Sequence, residues 1–245
     1  MTNGSSQGLF IVVAVVIFGI FATISYIIFR GKLHTGLAII FDDSLEESYD
    51  NLTGVTNEKY LNYSTLNGFG IDGLNSTAYN EDGSIKSNLK ALILPNTIRG
   101  RDLEIIDFTN SNIFGTSISR LEGVEKIVGN SNLNKVSAFL YKGGSSLREI
   151  DLNNTQVKNL GVQHFLKDNK TVKKLTLGKK FENFGVAPFQ NSALEELTLT
   201  NTTPLVNLSN GLWNMPSNQI TLNAPKELEE QFKSYESRFK SVNYY

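Results

Sequence analysis

LREIDL at 147–152, VKKLTL at 172–177 and LEELTL at 194–199 share one pattern, an apolar residue followed at the third and fifth places by two more. The last two apolar residues of each line alternate with polar ones, which is the period-two signature of a strand buried on one face. Working outward, the same spacing occurs at Leu89, Leu92, Leu94 and at Leu103, Ile106, Phe108. It is degenerate at Val124, Ile127, and Ile220, Leu222 keep half of it. Successive starts lie 14, 21, 23, 25 and 22 residues apart. Apart from the first interval, that is the length of one coil in a repeat architecture whose coils stack to bury a core none could form alone.

Between these lines a second feature recurs, an aromatic at Phe139, Phe165, Phe189 and Trp213 in SAFLYKGGSSLREIDL, QHFLKDNKTVKKLTL, APFQNSALEELTL and GLWNMPSNQITL. Together with LKALILPNTI, these segments resemble the BspA-like leucine-rich repeat family. The unit around Val124 is poor, and the cysteine common in that family's units is absent. The resemblance covers about residues 85–225. It implies a leucine-rich-repeat solenoid with a short parallel sheet and irregular or short helical returns, displayed outside the cell to bind a partner. The segment after Pro225, with Leu228, Phe232, Tyr235 and Phe239 on one helical stripe, is expected to form a C-terminal capping helix over 225–245. A cap is needed because the last coil would otherwise expose its core and an unpaired strand edge.

The N-terminal part reads differently. Leu9 to Phe29 is a run of 21 residues without a charge, long enough as a helix to cross about 30 Å of hydrocarbon. A cleaved signal is disfavoured, because no lysine or arginine precedes the run and no small-residue cleavage site follows it. The expectation is a single-pass transmembrane helix at 9–29 after a short tail at 1–8. Arg30 and Lys32 vote for a cytoplasmic C-terminal domain. The resemblance implies the extracellular side, and it is followed here because two charges bias insertion only modestly.

Charge divides the chain as the patterns do. Residues 1–35 carry +2, residues 36–88 carry −7 and residues 89–245 carry +4, within a total of −1. The acidic cluster from Asp42 to Asp50 belongs to an expected stalk helix or linker at 30–50. The Asn-, Gly- and Ser-rich stretch at 51–88 is expected to be an irregular N-terminal cap, and 89–224 the repeats.

Candidate chemistry is sparse. The chain has no cysteine, which excludes disulfides, thiolate metal sites and cysteine nucleophiles. His34 and His164 have no partner spacing for metal ligation or a triad. The expectation is therefore no enzyme, no metal and no cofactor. Lys170, Lys173, Lys174, Lys179 and Lys180 cluster in one coil, but the domain is only mildly basic, so nucleic acid is not expected as a partner. Eight N-x-S/T tripeptides, at Asn3, Asn51, Asn62, Asn75, Asn153, Asn169, Asn201 and Asn207, matter only where asparagine is glycosylated.

The candidate binding surface follows from strand geometry, because the polar residues between inward positions form outward rows across neighbouring coils. One expected row is Asp107, Val128, Asp151, Thr176, Thr198 and Thr221. The flanking row is Lys126, Glu149, Lys174, Glu196 and Gln219. A solvated sheet would show the same residues, and the rows alone do not separate the two. The expected function is membrane-anchored surface recognition or adhesion, with a protein or glycan ligand bound by the solenoid. The alternative is a structural subunit of a filament or envelope assembly, self-associating through residues 9–29.

Overall fold

The computed structural model describes residues 15–26, 54–64, 69–106, 121–136, 146–161 and 165–245. It comprises two compact units, Met1–Thr53 and Gly54–Tyr245.

In the first unit the described residues form a helix at 15–26, and all of them are exposed. Twelve helical residues rise about 18 Å. No helix among the described residues is long and apolar enough to cross a membrane. This corrects the expected transmembrane helix at 9–29, and with it the single-pass membrane localisation and the extracellular placement drawn from it. An uncharged composition makes a segment soluble in hydrocarbon, whereas spanning requires about 20 residues of continuous helix. The tail at 1–8, the flanks of the apolar run and the acidic segment at 30–50 lie outside the described residues.

Among the described residues the second unit is mostly parallel β-structure with few helices, all short. Its strands are β1 (Leu61–Ser64), β2 (Gly70–Leu74), β3 (Ala91–Ile93), β4 (Thr97–Ile98), β5 (Arg101–Asp102), β6 (Ile105–Ile106), β7 (Lys126–Val128), β8 (Lys135–Val136), β9 (Glu149–Leu152), β10 (Lys174–Leu177), β11 (Glu196–Leu199), β12 (Thr221–Ala224) and β13 (Ser241–Tyr244). A front sheet of seven strands runs β13-β12-β11-β10-β9-β7-β3, with every neighbouring pair parallel. A back sheet runs β1-β2-β6-β8, and β4 and β5 form a small antiparallel pair. Strands this short suffice because β9, β10 and β11 each bury two apolar side chains, Ile150 and Leu152, Leu175 and Leu177, and Leu197 and Leu199, while β3 and β7 bury Leu92 and Ile127. One continuous core lies behind the front sheet.

This mostly parallel sheet with few short helices among the described residues corrects the expected leucine-rich-repeat solenoid with a helical cap. Leu103 and Ile106 do not mark a front strand: β6 pairs with β2 and β8, while Leu92 of β3 stands directly beside Ile127 of β7. The first interval of 14 residues was half a coil, a strand on the back mistaken for one on the front. The segment after Pro225 is not one helix either. It is a 3-10 turn at Lys226–Leu228, a four-residue α-helix at Glu229–Phe232 and a 3-10 stretch at Lys233–Arg238, followed by β13. Leu228, Phe232 and Phe239 are buried as their stripe requires. Phe239 is nevertheless extended (φ −92°, ψ 156°), and the chain beyond it satisfies the backbone of β12, which a helix cannot do.

The back continues past β8 as single-residue bridges, Asn159 to Asn183 and Asn183 to Val206. They sit in three related segments, VKNLG at 157–161, FENFG at 181–185 and LVNL at 205–208. Asn159 and Asn183 each accept a hydrogen bond from the N–H two residues on, Gly161 at 3.1 Å and Gly185 at 2.9 Å. Those glycines take φ of 84° and 78°, the left-handed region that side chains disfavour.

Candidate partner-binding face

The outward side of the front sheet is where the sequence places its candidate residues, and strand register decides which of them meet. Lys126, Glu149, Lys174 and Glu196 are neighbours on β7, β9, β10 and β11. Val128, Asp151, Thr176 and Thr198 form the next row. Thr221 does not continue it. It pairs with Glu196, while Thr198 pairs with Asn223, so Thr221 belongs to the charged row. Ile220 lies just before β12, and Leu222 is the residue that stands beside Leu197. Asp107 lies outside the described residues, and β6 just before it belongs to the back sheet.

Three residues missed in the sequence extend the rows. Asn223 donates to Glu196 Oε1 and Thr198 Oγ1, both at 3.3 Å, and Asn243 on β13 donates to Asn223 Oδ1 at 2.9 Å. Ser241 donates to Thr221 Oγ1 at 3.1 Å. Their signal was present, since Thr221–Ala224 and Ser241–Tyr244 both alternate polar and apolar. In β13 the helical stripe ending at Phe239 masked it.

Charges on this face alternate and neutralise one another. Lys126 meets Glu149 at 2.8 Å and Lys174 meets Glu196 at 3.0 Å. One residue earlier on each strand, Lys90 meets Glu125 at 3.0 Å and Lys173 meets Glu195 at 2.6 Å. The hydrogen bond and charge of Glu196 raise the Lys174 ammonium above its ordinary range. Lys173 likewise holds the Glu195 carboxyl below the usual carboxylate range. Exposed pairs of this kind contribute little to stability, but they hold long side chains in one arrangement. Asp151 is occupied by the backbone, accepting from Asn153 N at 2.9 Å. Away from the charges, Thr176, Thr198, Asn223 and Asn243 form a band of hydroxyls and amides.

The lysine cluster is bound up in the same way. Lys170 donates to Asn191 O and Oδ1 at 2.5 and 2.8 Å, Lys173 and Lys174 are paired, and Lys179 and Lys180 are exposed. Among the described residues no group of three or more His, Asp or Glu side chains could hold a metal ion. His34 and His164 lie outside them.

The recurrent aromatics divide. Phe165 and Phe189 are fully buried, whereas Trp213 is 55% exposed and its neighbour Leu212 fills the core. Aligning on the aromatic therefore misplaced the last return by one residue. Phe139 lies outside the described residues. Of the tripeptide asparagines, Asn169 and Asn201 are fully buried. Asn169 Oδ1 accepts from the N–H of Thr171 and of Val172 at 2.9 and 2.8 Å, so it serves the turn before β10.

No family model, no curated protein and no solved structure matches this chain, and the BspA-like resemblance therefore rests on the sequence motif alone.

Proposed function

We propose that the chain is a recognition module that binds a protein or glycan partner on the outward face of its front sheet. The observation that carries this reading is the pair of in-register polar rows across β7, β9, β10, β11, β12 and β13, held in place by cross-strand bonds. Six strands present such a row over about 24 Å, and side chains already fixed lose little freedom on binding. Because charges of both signs alternate, the face suits a partner read by hydrogen bonds rather than a polyanion. The BspA-like motif supports the same reading by analogy.

The test uses the labelled full chain on glycan and protein arrays, compared with the double variant Thr176→Lys/Thr198→Lys. Retention should be lost in the variant while its urea midpoint stays put. Absence of retention by wild type, or equal retention of both proteins, sinks the proposal.

A second reading, a structural subunit assembling through its apolar helix, draws on Val15, Phe18 and Phe21, which are 66%, 72% and 67% exposed. Cross-linking that traps only monomers of the full chain would exclude it.

A further inference from the structure

The two edges of the front sheet are finished differently. At β3 the edge is closed: Thr56 N donates to Ile93 O at 2.8 Å, and Ile93 N donates to Thr56 Oγ1 at 3.0 Å. Thr56 itself is buried. At the other end β13 is the last strand of the order, and among the described residues nothing pairs with its outer side. Exposed edges of this kind are templates for another strand, and proteins ordinarily cover or charge them.

The phase of β13 is set by its bonds to β12. Ala224 is the register partner of Tyr244, and Tyr245 N donates to Ala224 O at 3.1 Å. In a parallel ladder alternate residues bond to one side. Asn243 and Tyr245 therefore address β12, and the N–H and C=O of Val242 and Tyr244 point away from it. The side chains of Val242 and Tyr244 are half-buried against the core, and those of Ser241 and Asn243 are exposed on the front.

We propose that β13 pairs edge to edge with β13 of a second copy of this chain, antiparallel, with the two-fold axis at Asn243. The strand is self-complementary in that register. Val242 stands opposite Tyr244 of the second copy, and the two exchange reciprocal N–H···O bonds at two symmetric places. They also form a β-branched to aromatic pair that covers the half-buried side chains. On the front, Asn243 meets its own counterpart. Its Nδ2 spends one proton on Asn223 Oδ1, which leaves one N–H and Oδ1 for the opposing amide. No charge falls on the axis. A contact of this symmetry closes after two subunits, joining two front sheets into one.

Sedimentation velocity of the full chain across a wide dilution series tests this. Wild type should show a reversible monomer–dimer equilibrium. Asn243→Lys and Asn243→Asp should each be monomeric, because like charges meet on the axis, and an equimolar mixture of the two should form the heterodimer. Asn243 is exposed, so both variants should keep the wild-type unfolding midpoint at dilutions where wild type is itself monomeric. In the dimer, exchange of the Val242 and Tyr244 amides should slow. A wild-type chain that stays monomeric, a dimer that survives Asn243→Lys, or a mixture that fails to associate overturns the proposal.

Discussion

The front and back of the second unit solve the same problem with different chemistry. On the front, every coil contributes three or four paired residues, and alternating leucine and isoleucine do the ordering. On the back, paired strands give way after β8 to single bridges, and the work passes to asparagine turns and a phenylalanine cluster. Regular hydrogen bonding is thus needed on one side only. The other side needs the chain to reverse without orphaned backbone groups and to fill the space behind the strands.

The back is therefore where one side chain should matter most. Phe184 lies 5.0 Å from Phe181 and 5.6 Å from Phe189 between ring centroids. Phe184→Ala should lower stability by about 3 to 5 kcal/mol in urea unfolding, through lost transfer energy and the cavity left behind. A loss near that of a surface substitution would show that the back is not core. Next comes the turn amide: Asn169→Ala strips the acceptor from two N–H groups and should cost about 2 kcal/mol in the same assay. An unchanged midpoint would mean that water replaces the amide without loss.

The aromatic series provides a sharper contrast. Trp213 is the protein's one tryptophan, and its native fluorescence should be quenched by acrylamide almost as readily as in urea. Trp213→Ala should move the midpoint by less than about 0.5 kcal/mol. A blue-shifted, unquenched native spectrum would restore Trp213 to the core and Leu212 to the surface.

The smallest effect belongs to the charged rows of the front. Because Lys173 depresses the folded-state pKa of Glu195, the pair contributes stability above the ordinary carboxylate range, and that contribution is lost as pH falls through the folded pKa. Lys173→Gln should lower the neutral midpoint slightly and leave stability below the folded pKa unchanged, so that the acid limb of a stability–pH curve flattens. An effect as large as that of Asn169→Ala would mean the rows hold the fold together.

The positions of β7, β9, β10 and β11 were legible because their apolar residues alternate with a period of two and recur every 22 to 25 residues. Leu103 and Ile106 obey the same spacing, yet β6 lies on the back, since local alternation says that a strand has a buried face but not which sheet it joins. The VKNLG, FENFG and LVNL segments passed unread, because a bridge of one residue has no periodicity and only its asparagine and glycine mark it. Asn223 and Asn243 were missed for a related reason, as their rows exist only once β12 and β13 are placed.

By itself the sequence determined where the inward residues of the central strands fall and that no cysteine chemistry operates, since these depend on residue type and spacing along the chain. The tertiary structure decided the rest: that the apolar N-terminal run contributes no described helix able to span a membrane, that Thr221 sits beside Glu196, that Leu212 rather than Trp213 is core, and that the chain ends its front sheet in a strand. Each is a matter of which backbone groups and surfaces find partners far away in sequence, and a helical stripe or an uncharged run leaves such pairings open.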